Sequence, residues 1–219
     1  MASSSSPRTM RAVQYDRYGG GAEGLKHVEV PIPSPKKGEL LLRMEAASIN
    51  RVDWKFQNGK ARPFLPSKFP FTPVCELTGE VVELGAGVSG FSQGDKVIAV
   101  NFPGGGGLAE YAVVPASQAA LRPPEVSAVE GACLPIAAFT ALAALRAAGV
   151  GLDAGDGRPK NVLEEDMEAL LGMVSQGKLR VVIDSRYPLS RAHEGWAKSM
   201  SGHATGKVVV DMGVADDTE

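Results

Sequence analysis

Between Met10 and Ala120 six short apolar runs follow one another, and glycine or proline stands in every gap between them. The runs are "MRAVQY", "LKHVEV", "ELLLRMEAASI", "LTGEVVEL", "DKVIAV" and "LAEYAVV". A run of this length spans a strand but is too short to hold a helix in water. Glycine and proline between such runs turn the chain back on itself. With 26 glycines and 15 prolines in 219 residues, this part of the chain is predicted to form a barrel-like or sandwich sheet.

The pattern changes at Ser127. Ser127 and Glu130 have the S-x-x-E spacing of a capping box, which satisfies two free amides at a helix start. The run "AVEGACLPIAAFTALAALRAAG" is rich in alanine and leucine, both good helix formers. Pro135 would break a helix interior, so two helices are predicted, over 128–134 and 136–148, with Gly149 as the C-terminal cap. A polar, Gly-rich stretch then leads to a strand-like "KNVL" and directly into "EEDMEALLGMVSQGK". Leu163, Met167, Leu170, Leu171 and Val174 share one helical face there, and Gly177 ends it. "LRVVID" reads as a strand. Ser190–Met200 reads as a helix with Ala192, Trp196 and Met200 on one face, and "GKVVVDM" as a last strand. The class is mainly β with helices, an α+β fold.

The charge balance of −2 gives no sign of a nucleic acid or anionic membrane partner, both of which favour a basic face. The two cysteines, Cys75 and Cys133, are too few for a disulfide framework and read as reduced structural thiols. No stretch approaches the length of a transmembrane helix. The start, "MASSSSPRTMR", has the serine and arginine content of an organelle transit peptide, but strand-like sequence begins at Met10 and leaves only a nine-residue flexible extension.

Gly85, Gly87 and Gly90 fit G-x-G-x-x-G after a strand-like run. A dinucleotide turn needs a helix next, whose N-terminus meets the pyrophosphate. "FSQGDKVIAV" follows instead, a turn and a strand, so the glycines are read as a connection between two antiparallel strands. "PGGGG" at 103–107 fails the same test. In "INRVDWKFQNG", Asn50 and Asp53 either cap a turn or mark a site, and Trp54 and Phe56 either line a pocket or join the core. Cys75 and Glu76 side by side make a poor metal pair, and His27, His193 and His203 lack zinc spacing. There is no G-x-S-x-G elbow.

Five segments in order, "RAVQYDRYGG", "PIPSPKKGELLLRMEAASINRVDWKFQNG", "PFTPVCELTGEVVELGAGVSGFSQGDKVIAV", "LAEYAVVP" and "LPIAAFTALAAL", resemble the GroES-like catalytic domain of the zinc-independent quinone oxidoreductases. These belong to the medium-chain dehydrogenase/reductase superfamily, and the plant chloroplast-envelope members are the nearest in likeness. The ending "KLRVVIDSRYPLSRAHEGWAKSMSGHATGKVVV" is similar to that family's C-terminus.

The resemblance implies a Rossmann domain inserted after "KNVL", where this chain instead enters its return helix. On the order of 100 residues are therefore absent between about Leu163 and Glu164. The implied division is an extension over 1–9, an N-terminal catalytic part over 10–150, a linker and Rossmann remnant over 151–162, and a return segment over 163–219. It further implies NADPH-dependent hydride transfer to a quinone or enone without a metal, in a chain inactive alone for want of its cofactor domain. Asn50 and Asp53 would floor the active site, Trp54 would line the substrate side, and Thr140, His203 and Lys207 would face the cofactor. Losing that domain would expose a docking face on helix 136–148, open to a partner or a second copy. The compartment implied is the chloroplast envelope, with the cytoplasm as the alternative.

Overall fold

The chain's structure, a computed structural model, describes residues 8–66, 68–149 and 162–215. The expected strands form: β1 (Thr9–Gln14), β2 (Lys26–Pro31), β3 (Glu39–Ile49), β4 (Glu76–Leu84), β5 (Lys96–Val100) and β6 (Tyr111–Pro115). A short β7 (Ala119–Leu121) joins them, and β8 (Ile183–Tyr187) and β9 (Lys207–Asp211) come from the C-terminal part. The helices are α1 (Arg51–Gln57), α2 (Ala128–Gly131), α3 (Pro135–Ala147), α4 (Val162–Ser175) and α5 (Ala192–Ser201).

β3 organises the molecule. Seven of its eleven residues are apolar, and all seven are buried because both of its faces are covered. β4 pairs antiparallel along its full length on one edge. The other edge is shared: β6 takes residues 39–43 and β9 takes 46–49. A register shift between Met44 and Ala46 changes which face the side chains meet. Leu40, Leu42 and Met44 enter the main core, as do Ala47 and Ile49 beyond the shift, while Ala46 turns to the opposite face against Val129 and Val209. The seven-stranded sheet runs β7-β5-β4-β3-β9-β8, with β6 beside β3. The β1–β2 ribbon is tied to it by Val13 N donating to Leu108 O at 2.8 Å and Glu110 N to Arg11 O at 3.1 Å.

The two glycine-rich stretches serve the sheet. Residues 85–90 connect β4 to its antiparallel neighbour β5. A Cβ on Gly85 would lie 1.7 Å from the Lys36 carbonyl oxygen, so only glycine passes there. Residues 104–107 lie against Thr72–Val74, with Gly106 N bonded to Thr72 O and Gly107 N to Val74 O, both at 2.8 Å.

Pro135 opens α3 as its first helical residue, and the Ser127–Glu130 capping box opens α2. α4 returns to the sheet, burying Met167 and Leu171 against Ile98, Ala120, Val126 and Leu134. The Arg146 guanidinium on α3 grips the Asp166 carboxylate on α4 with two bonds of 2.6 and 2.5 Å.

Three expectations need correction. Val162 and Leu163 are helical, so "KNVL" does not end in a strand; Lys160 and Asn161, with the rest of 150–161, lie outside the described residues. The strand expected at "LRVVID" starts only at Ile183, where pairing with β9 begins. α5 buries Ala192 and Trp196 completely, but Met200 stands 36% exposed at its end. α1 was not foreseen: it is a two-turn helix whose apolar pattern is too short to show.

Candidate functional site

Asn50 leaves β3 in an extended conformation and starts α1. Its backbone N–H donates to Asp53 Oδ2 at 2.6 Å, the charge-assisted half of a helix cap. Its carboxamide is fully used: Nδ2 donates to Ser48 O at 3.1 Å and to Glu76 Oε2 at 2.6 Å, and Oδ1 accepts from Lys207 Nζ at 2.6 Å.

Glu76 is the centre of this network. It opens β4 and is fully buried, yet neither carboxylate oxygen lacks a partner. Oε2 also accepts from Lys207 Nζ at 2.7 Å, and Oε1 accepts from the Ile136 backbone N–H at 2.8 Å. The last bond caps α3, whose own preceding residue, Leu134, offers no side-chain cap. Glu76 thus fastens the end of β3, the start of α3 and β9. Sequence reasoning treated Glu76 only as a poor metal ligand. The available signal was an acid beside the apolar start of a strand, which must find a partner once buried.

Asp53 sits beneath the network, 3% exposed. Burial, and then the nearby Glu76 charge, push its carboxyl up from 3.8 to about 7, against the opposing bond from the Asn50 amide. Cys75 Sγ donates to Asp53 Oδ1 at 3.6 Å. Burial, with Asp53 and Glu76 beyond it, keeps that thiol protonated. Both cysteines are free and buried.

The structure divides the remaining site residues. Lys207 bonds Asn50 and Glu76 directly and reaches Asp53 through Asn50, and with Asn50 and Arg51 it borders a polar recess of about 150 Å³. Trp54 is half-buried and packs on the main core. Thr140 stands on the exposed side of α3 and donates its hydroxyl to Ile136 O at 2.7 Å. It borders an open apolar cleft of about 770 Å³ with Val52, Val100, Phe102, Ile136 and Phe139. Ile136 belongs to both places, its amide in the polar network and its side chain in the cleft. His203 is exposed on the loop between α5 and β9, with its amide on Ser201 Oγ at 3.2 Å.

Among the described residues no glycine-rich turn leads into an α-helix, and the α3 N-terminus already holds the Glu76 carboxylate. These residues do not fit the pyrophosphate of a dinucleotide. Nor do they fit a metal ion: no three His, Cys, Asp or Glu among them stand close enough to share one, and Glu76 is taken by Lys207 and two N–H donors.

The alcohol dehydrogenase GroES-like domain family matches residues 36–124, and the family described as zinc-binding dehydrogenase matches residues 82–210. A chloroplastic quinone oxidoreductase of Triphysaria versicolor is 36% identical, with 93% of this chain and 99% of that protein covered. That alignment runs over 327 positions, whereas 93% of 219 residues is about 204, so roughly 120 positions of the relative have no counterpart here. A chloroplastic homologue from Spinacia oleracea is 54% identical over 158 residues, covering 71% of this chain and 48% of its own length. Among solved structures, the quinone oxidoreductase from Coxiella burnetii superposes with a TM-score of 0.80 at 21% identity, covering 94% of this chain and all of that one, which shows the shared fold. This chain belongs to the medium-chain dehydrogenase/reductase superfamily and resembles its quinone oxidoreductases.

Proposed function

We propose that this chain is the substrate-side module of an NADPH-dependent quinone or enone oxidoreductase working without a metal, and that it transfers no hydride by itself. One observation carries the reading: a close relative aligns end to end except for roughly 120 positions, and the dinucleotide cradle is missing among the described residues. The absent segment belongs between the linker 151–162 and the return segment 163–219. Hydride transfer requires the nicotinamide to be held against the substrate within a near-attack distance, and the groups that would anchor its phosphates are missing among the described residues.

The proposed roles follow the division seen above. The apolar cleft beside Thr140 takes the ring of a quinone or enone, and Trp54 is assigned to the substrate side. Asn50 and Asp53 form the floor and hold the end of β3 in place. Lys207, with His203 on the loop before it, faces the side where a cofactor would lie. The chain is assigned to the chloroplast, at the envelope surface, with the cytoplasm as the alternative; relatives named as chloroplastic support the chloroplast.

Calorimetric titration with NADPH tests the reading. No heat of binding and no NADPH oxidation with a quinone are expected. Binding in the micromolar range would overturn it. A second reading has its own observation: α3 leaves Ala137, Ala141, Ala144 and Leu145 exposed. A non-catalytic fragment that docks a full-length subunit or a second copy there would show a concentration-dependent mass in the same samples.

A further inference from the structure

The net charge of −2 conceals a strongly basic turn. Between Glu45 and Glu76 the chain carries Arg51, Lys55, Lys60, Arg62 and Lys68, and its only acid is Asp53, which is buried. Arg51, Lys55, Lys60 and Lys68 are exposed, and among the described residues none of them pairs with a carboxylate. Amid them stands Phe64, 78% exposed, the most exposed large apolar side chain described.

This exposure is built rather than incidental. After α1 the chain makes successive turns, with Lys60 N bonded to Lys55 O at 3.0 Å and Phe64 N to Ala61 O at 2.9 Å. Gly59 leaves room for Arg62, since a Cβ there would lie 2.5 Å from Arg62 Nε. The Arg62 guanidinium lies 3.9 Å from the Tyr18 ring centre, and Phe69 meets the same ring edge-on at 4.9 Å. Pro66, two residues beyond Phe64, is buried. The neighbours hold the turn down while Phe64 projects from it.

We infer that this turn docks the protein on an anionic lipid bilayer, with Phe64 entering the headgroup boundary and the lysines and arginines meeting lipid phosphates. A bilayer is the occupant favoured because the patch pairs a projecting aromatic ring with unpaired cations, the two features that interfacial binding combines. No helix among the described residues is long and apolar enough to cross a membrane, so the contact is peripheral. α1 carries both Lys55 and Val52, and Val52 borders the apolar cleft, so docking would set that cleft beside the lipid. A lipid-soluble quinone would then reach it without crossing water. The inference deepens the envelope placement proposed above, but its test needs neither cofactor nor substrate.

The test is sedimentation of the full chain with phosphatidylcholine vesicles, with and without phosphatidylglycerol. Binding is expected only with phosphatidylglycerol, and to weaken as salt rises. Lys60→Ala and Lys68→Ala should each weaken it about fivefold, and Phe64→Ala roughly tenfold. In a Phe64→Trp variant the added indole emission should shift to the blue on vesicle addition, a readout that a misfolded protein would not give selectively with anionic lipid. Equal binding to both vesicle types, no binding, or no effect of these exposed substitutions would overturn the inference. Vesicle binding by a chain found outside chloroplasts would sink the envelope placement and leave the docking surface standing.

Discussion

Asp53 is an acid placed where an ionised carboxylate is poorly tolerated. Its carboxyl is raised from 3.8 to about 7, so the folded protein binds a proton there that the unfolded chain has released. Its contribution to stability is therefore fully present below about pH 4 and is lost as pH rises through 7. Between pH 5 and 8 the loss amounts to roughly 2–3 kcal/mol. Asp53→Asn keeps an oxygen for the Asn50 amide and cannot ionise. Urea denaturation at a series of pH values should show the variant gaining on the parent by about that amount from pH 5 to 8. A constant difference would mean that Asp53 is ionised throughout. This behaviour was hidden in the sequence, where "NRVD" reads equally as a turn cap and as a site. The structure shows that Asn50 and Asp53 do cap α1, and that a separate bond from the Asn50 carboxamide ties the cap to the Glu76 network.

At the level of elements, the glycines separate two demands that look alike in the sequence. Gly90 in the β4–β5 connection has φ of 82° and open space where a Cβ would go. Gly105 has φ of 69°, and its Cβ would lie 2.3 Å from the Thr72 carbonyl oxygen. Gly90→Ala should cost about 1 kcal/mol, the conformational penalty alone. Gly105→Ala adds a backbone clash and should cost about 2–4 kcal/mol, seen as a larger fall in Tm. Equal losses would show that the segment around Thr72 simply yields. Val74, two residues past Thr72 and packed against Gly107, is itself strained: it is β-branched and has φ of 71°. The strands were legible because each apolar run is bounded by such turns, and α2 and α3 because Ser127 and Pro135 announce their starts. α1, β7 and the true start of β8 were not. Their placement depends on partners distant in the chain: Glu76 for α1, through its N-cap Asn50, β5 for β7 and β9 for β8.

Across the whole molecule, the bond between Glu76 and Lys207 joins residues 131 positions apart and closes the C-terminal strands onto the N-terminal sheet. The absence of roughly 120 positions relative to the Triphysaria protein leaves this junction in place, because β9 still lies antiparallel to β3. The sheet is thus continuous across the gap, and a single cooperative unfolding transition is expected. Removing either partner leaves the other as a buried charge without its counter-ion. Glu76→Gln and Lys207→Met should each cost about 3–5 kcal/mol. In Lys207→Met the carboxylate retains only Asn50 Nδ2 and the Ile136 amide, so the start of α3 should loosen as well. The double variant buries no lone charge and should be more stable than the sum of the two losses predicts, by at least about 1 kcal/mol. Urea denaturation followed by circular dichroism measures all four proteins. Additive losses would mean that the two groups stabilise the fold independently. A separate early transition in Lys207→Met would show that the return segment folds onto the N-terminal sheet through this contact above all others.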